Sequence, residues 1–411
     1  MLLLLIFIVS FYFALTQPIS NDELFTYLWF SSKGIMTSVS YYPAPNNHVL
    51  YSILTNFSVL LPFDTTFCLR LPSLLINLFV VFFVYSFLKE YFNKNFSVVV
   101  TTLCLFLYMS IYYSYHARGY SLVFLCFILS SYSAFKITDS IKNTYYWACF
   151  AIANIAGFFT MPSFLYPYIM VNLFIFLYLK KITKAQLLTN ISIISIVGLL
   201  YAPIIITNGA EALYGNTFVK PTGRIEEIRQ LPWFLYLTFE RIFGFANQIY
   251  EPNTALREAK HTVLNIFKEP FPFYSFFVTA TDVLMFIIIA VSIFFIPFFN
   301  FINKQMKLYL MVLLILPPVL LLVHSVIPFS RTFSYYAVIF TITLLLPLYH
   351  FISKINNTGI LFIQLVIIAF FTLDYFHLVG KYEKRNDEQE KIIQKVDHDK
   401  PHFRLMGRMA E

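Results

Sequence analysis

The sequence predicts an all-α polytopic membrane protein of about eleven transmembrane helices, and three observations carry that prediction. Of the 411 residues, 59% are hydrophobic and only 12% are charged, with a mean hydropathy of +0.70. The 49 Phe and 29 Tyr are more aromatic surface than a soluble domain with so few charges would carry. Apolar runs recur along the chain, each about 16–22 residues long, which is roughly what a helix needs to cross about 30 Å of hydrocarbon. The loops between these runs also alternate in their basic residues.

The runs place spans near 1–16, 70–88, 97–114, 119–135, 145–161, 163–180, 186–206, 275–299, 308–327, 332–352 and 359–379. The first 16 residues have no basic n-region and no small-x-small cleavage site, so they read as an uncleaved first span and not as a signal peptide. The apolar run at 48–62 is short and ends in Leu61-Pro62-Phe63-Asp64, which fits a helix lying in the interface. The segment 207–274 contains Pro232-Trp-Phe-Leu-Tyr-Leu-Thr-Phe-Glu-Arg241, the pattern of an amphipathic helix on the membrane surface. From 381 the tail holds eight basic and seven acidic residues, so it is polar and near neutral. The chain thus divides into 1–206, with its first external loop at 17–69, a large external loop at 207–274, C-terminal spans at 275–380 and a tail at 381–411. There is no internal repeat and no Gly/Ser linker.

Orientation follows from the basic residues. The loops around 89–95, 136–144, 180–185, 303–307 and 354 hold ten of them, Lys89, Lys94, Lys136, Lys142, Lys180, Lys181, Lys184, Lys304, Lys307 and Lys354, and these loops are expected to be cytoplasmic. All ten are Lys. The arginines before the tail, Arg70, Arg118, Arg224, Arg229, Arg241, Arg257 and Arg331, all fall on the opposite side. A guanidinium grips phosphate or carboxylate with two prongs, so the outer face is the expected working face. The net charge of +8 suits a membrane with anionic lipids and carries no nucleic-acid signal. Cys68, Cys104, Cys126 and Cys149 have no ligand-like spacing and read as packing residues.

The outer face carries an ordered set of motifs. Ser20-Asn-Asp-Glu-Leu-Phe-Thr-Tyr follows the first span, then Tyr41-Tyr-Pro-Ala-Pro-Asn-Asn-His-Val-Leu-Tyr51, Arg70-Leu-Pro-Ser73, His116-Ala-Arg-Gly-Tyr-Ser-Leu122 and Pro328-Phe-Ser-Arg-Thr-Phe-Ser-Tyr-Tyr336. This order resembles the GT-C glycosyltransferases, in the branch of protein O-mannosyltransferases, lipid A aminoarabinose transferase and the bacterial RgtA/B/C/D-like enzymes. The resemblance covers about residues 1–180 well and the later spans loosely, and Val49 stands where that pattern commonly has Pro. It implies a GT-C-type fold, with external juxtamembrane helices in the first external loop and a catalytic module over 1–206. It also implies an integral-membrane glycosyltransferase of the bacterial cell membrane, which moves a sugar from a polyprenyl-phosphate donor to a glycan, lipid or protein acceptor.

The chemistry of the residues fits that expectation. Sugar transfer to a hydroxyl needs a base, and Asp22 matches the first acid of the motif, with Glu23 to orient the acceptor or support Asp22. The departing phosphate needs cations at the membrane surface, which Arg118 and Arg331 are placed to supply. Asn47, His48, Arg70 and Tyr120 complete the candidate substrate-binding set. Structural readings stand beside each. Ser20-x-x-Glu23 is also a helix capping box. Arg118 and Arg331 are also placed to snorkel to headgroups, and Arg70 to anchor the interface or support the loop. Asn46, Asn47 and His48 suit ordinary turn chemistry, and Tyr120 and Tyr336 an aromatic belt. His48 is also open to a metal role. A divalent metal is compatible with the resemblance, but one His with scattered acids assigns no metal site.

Two other classes compete. A lipid-linked sugar flippase or transporter is expected to show repeated halves and Gly- or Pro-broken helices, and this chain has no matching halves and only 11 Gly. A surface-polysaccharide polymerase or ligase shares the many spans and external arginines, but not the early Asp-Glu pair or the Arg-Leu-Pro-Ser start of the second span.

Overall fold

The computed structural model describes residues 2–43, 46–214, 272–324 and 328–382, with scattered positions between 228 and 243. Among these residues every regular element is helical. In chain order the helices are α1 (Leu2–Thr16), α2 (Asn21–Thr26, continued by a π turn, Tyr27–Ser31), α3 (Ile35–Ser40), α4 (Val49–Ser58), α5 (Thr65–Tyr91), α6 (Lys94–Phe106), α7 (Tyr108–Tyr115), α8 (Tyr120–Asp139), α9 (Thr144–Thr160), α10 (Leu165–Leu179), α11 (Lys184–Asn208) and α12 (Glu211–Tyr214). After them come α13 (Pro272–Phe295), α14 (Lys304–His324), α15 (Tyr336–Leu345), α16 (Tyr349–Lys354) and α17 (Asn357–Tyr382).

This is a multi-pass membrane protein. Among the described residues, seven helical segments are long and apolar enough to cross a membrane alone, and two sharply bent pairs raise the number to nine. The expected count of eleven is not reached on that measure, although each predicted run is largely helical over its described residues. Part of the reason is length: α9, at 17 residues, extends only about 25 Å. The run at 48–62 forms the ten-residue α4, matching the short interfacial helix expected there. Most of the 207–274 segment lies outside the described residues, and so do Arg224, Arg229, Arg241, Arg257 and the tail beyond Tyr382. Two described positions in it, Phe234 and Phe239, are buried against Phe333 and Phe340.

The bends have local causes. The chain turns by 78° between α1 and α2, at Gln17-Pro18, where the proline disfavours helix in the residue before it. It turns by 66° at Leu107, whose backbone is extended between α6 and α7. Polar side chains pair across the apolar interior. Tyr309 donates to Ser131 Oγ at 2.7 Å, Gln364 to Thr102 Oγ1 at 3.0 Å, and Ser114 to Ser10 Oγ at 2.6 Å. Such pairs hold apolar helices in register where lipid offers no alternative partner.

The two sets of loops gather at opposite ends of the helices. At the lysine end Lys136 pairs with Glu90, Gln305 bonds Asp139, and Asn95 donates to the Ile355 carbonyl at 2.8 Å. At the other end lie α2, α4, the 116–119 turn and Arg331. None of the four cysteines forms a disulfide; three are buried and Cys149 is half-buried.

Candidate active site

Ser20 starts α2 through a capping box. Its hydroxyl accepts from Glu23 N–H at 3.3 Å, and the Glu23 carboxylate accepts from Ser20 N–H at 2.9 Å. Both readings of Ser20-x-x-Glu23 therefore meet at one place, because the cap sets how the two acids leave the helix.

Glu23 turns inward and is fully buried. Arg70 clamps it with Nε to Oε1 at 2.9 Å and Nη2 to Oε2 at 2.8 Å. The same guanidinium donates to the carbonyls of Ala14 (3.0 Å), Gln17 (2.8 Å) and Pro18 (2.8 Å), which are left open where α1 ends. Ala117 N–H donates to Glu23 Oε1 at 2.8 Å. One ion pair thus ties α1, α2, α5 and the 116–119 turn together. Burial alone would raise the Glu23 carboxyl, but Arg70 holds it well below the usual range, so it stays ionised. Arg70, expected among the substrate-binding residues, is completely buried, and its donors go to Glu23 and to the carbonyls of Ala14, Gln17 and Pro18. Glu23 thus lies buried beside Asp22.

His116, in the turn before Arg118, also belongs to this hub. Its ring stacks on Tyr112 with centroids 3.6 Å apart, and its carbonyl accepts from Ser73 Oγ at 2.6 Å. Nδ1 lies 3.0 Å from the Tyr112 carbonyl, and Nε2 lies 3.8 Å from Glu23. Burial lowers its pKa to about 4, so the approach to Glu23 is not an ion pair at neutral pH. The available signal was a histidine in a chain with only eight of them, two residues before Arg118.

Asp22 turns outward, with 40% of its side chain exposed. Arg331 Nη1 stands 3.3 Å from its Oδ2, and Arg118 Nη2 stands 3.8 Å from the same oxygen. Burial pushes the Asp22 carboxyl up, but Arg118 and then Arg331 outweigh it and hold the group below its ordinary value. The structure therefore brings together three candidates from positions 22, 118 and 331. Arg331 is 23% exposed along its side chain and lies over the Phe329 ring. Arg118 is nearly buried, and its Nη1 donates to the Asn46 carbonyl at 3.0 Å.

His48 joins this group. Its Nδ1 accepts from Gly119 N–H at 2.7 Å, its Nε2 lies 3.3 Å from Arg118 Nη2, and its ring meets Tyr120 edge-on. Tyr120 is buried beneath Arg118 and lines a small, mostly apolar cavity with Val80, Leu105, Met109, Phe124 and Ser334. Asn47 is not at the site. It is wholly buried, donating to the Ser38 carbonyl at 2.9 Å and the Tyr41 carbonyl at 3.1 Å, and accepting from Ser52 at 2.8 Å. Its side-chain polar atoms all bond within the segment from α3 to α4. Among the described residues no three His, Cys, Asp or Glu side chains gather as a metal site would require.

No protein-family model matches the sequence, and no curated protein matches it. Among solved structures, the crystal structure of the Archaeoglobus fulgidus oligosaccharyltransferase, in complex with Zn and sulfate, is similar at a TM-score of 0.51 and 14% sequence identity. The match covers 91% of this chain and 52% of that one, so this chain spans about half the length of the archaeal enzyme. At this identity the likeness speaks for the fold, which is of the GT-C type.

Proposed function

We propose that this protein is an integral-membrane glycosyltransferase, which moves a sugar from a polyprenyl-phosphate donor to an acceptor hydroxyl on the outer face of a bacterial cytoplasmic membrane. One observation carries the reading. A partly exposed carboxylate, Asp22, faces two guanidiniums from distant parts of the chain, at 3.3 and 3.8 Å, at the arginine end of an apolar helical bundle. Asp22 is the general base for the acceptor proton, and Arg118 and Arg331 stabilise the charge that develops on the leaving phosphate. Glu23 and Arg70 hold α2 in place behind Asp22. The GT-C-type fold supports this assignment over a flippase or a polysaccharide polymerase, and so does the order of the motifs. The acceptor class is a glycan, lipid or protein hydroxyl.

Arg331 gives the cleanest test. Lysine keeps the charge and snorkels equally well, but it lacks the planar fork. Arg331→Lys should lose about tenfold or more in transfer, as charge-assisted bonds worth about 1.5–3 kcal/mol imply. The loss should appear in the dependence on polyprenyl-phosphate sugar and not on acceptor. Unchanged donor dependence in both Arg331→Lys and Arg118→Lys would remove the phosphate role.

A further inference from the structure

His48 makes two contacts that cannot both be hydrogen bonds. At Nδ1 it faces the backbone N–H of Gly119 at 2.7 Å, a fixed donor with a single proton. At Nε2 it faces Arg118 Nη2 at 3.3 Å, and a guanidinium has only protons to give. The ring is neutral, because burial, then Arg118 and Arg331, push its pKa well below the ordinary value. A neutral imidazole has one bare nitrogen and one N–H. The amide cannot turn away, whereas the Arg118 head also has Asn46, Thr26 and Asp22 around it. The bare nitrogen is therefore Nδ1, and Nε2 carries the proton. Nε2–H and Arg118 Nη2 then point at each other as two donors with no acceptor between them.

Gly119 makes this seat possible. A Cβ there would come within 2.9 Å of His48 Cβ and 3.0 Å of Nδ1, so any side chain would push the ring off the amide. The unsatisfied donors extend further, since Arg118 Nε is buried without a partner among the described residues. Arg331 Nη1 approaches the same Asp22 oxygen as Arg118 Nη2 does. Donors from the residue before α4, the 116–119 turn and the 328–335 segment thus converge, with the Asp22 carboxylate at their edge. A tetrahedral anion with several free oxygens would satisfy them together.

We propose that His48 is a neutral hydrogen-bond donor, through Nε2–H, to the phosphate of a prenyl monophosphate held between Arg118 and Arg331. The proposal rests on the reading of those two arginines as the phosphate grip. It also sets aside His48 as a metal ligand, because in this tautomer Nε2 has no lone pair to offer.

The test uses the purified full-length protein in detergent and titration calorimetry with farnesyl monophosphate as the probe. His48→Asn keeps an acceptor for Gly119 N–H but has nothing at the Nε2 position, and it should bind about tenfold more weakly or worse. His48→Gln carries an N–H out to that position and should recover most of the affinity. Wild-type affinity in His48→Asn, with Arg331→Lys still weakened, would remove His48 and leave the arginine grip standing. Equal weakening in both His48 variants with lowered melting temperatures would mark a structural residue and overturn the donor role. Zn²⁺ binding by the wild type that disappears in His48→Gln would overturn the tautomer. No binding of the probe by the wild type would sink the arginine grip itself, and this proposal with it.

Discussion

Successive residues on a helix point about 100° apart, and at the start of α2 that rotation separates two acids. Glu23 faces the protein and is spent on Arg70, Ser20 and Ala117; Asp22 faces the opening and the two other arginines. The two substitutions that remove a charge should therefore fail differently. Asp22→Asn keeps size and cap, and it should lose nearly all transfer while yield and melting temperature hold. Glu23→Gln leaves a buried guanidinium without its counter-charge, a change that costs about 3–5 kcal/mol. It should appear first as lost membrane-inserted protein and a lower melting temperature. A stable, inactive Glu23→Gln beside an active Asp22→Asn would exchange the two roles.

At the scale of elements, α9 and the turn after it meet without a gap. A Cβ on Gly157 would stand 2.5 Å from ring carbons of Phe164, which is itself buried in the Pro162–Phe164 turn. Gly157→Ala should therefore push α9 off that turn and cost about 1–3 kcal/mol. Gly198, within α11, has nothing within 4 Å of its would-be Cβ. Gly198→Ala should be neutral or stabilising by up to about 1 kcal/mol. Thermal melting of the two purified variants compares them directly. Equal destabilisation would mean that close packing of α9 does not limit stability. The same packing holds the site, because Thr160 at the end of α9 lies against Gly119 and so behind His48.

Across the whole molecule the charged residues divide by type and by end. The lysine loops meet at one end through Lys136–Glu90, Gln305–Asp139 and Asn95–Ile355, and the arginines that have described positions sit at the other. The expected cytoplasmic side of the lysine end can be read in intact cells with an impermeant thiol reagent. Lys181→Cys and Lys307→Cys should be protected, and Asn21→Cys, at an exposed position beside Asp22, should be labelled. Labelling at Lys181→Cys with protection at Asn21→Cys would invert the protein and place the site in the cytoplasm. A lipid-linked donor used on the outer face would then be ruled out.

The sequence by itself determined the solvent of this protein and the positions of its helices, because hydrocarbon admits a chain only where about 20 apolar residues satisfy their own backbone. It also marked Asp22, Arg118 and Arg331 as candidates for one site, since charge left in so apolar a chain is costly and collects where it has partners. Only the tertiary structure decided how many runs are straight spans, because the turns at Gln17-Pro18 and Leu107 change the direction of apolar helices without changing their hydropathy. It also decided what each polar residue near the site is for. Glu23 and Arg70 are 47 residues apart, Gly119 and His48 are 71 apart, and two of the three partners of Asn47 are backbone carbonyls that no side-chain pattern records. A hydrogen bond is set by angles and distances between segments that meet only after folding. Neighbours in sequence such as Asp22 and Glu23, or Asn47 and His48, therefore divide between holding the site and forming it.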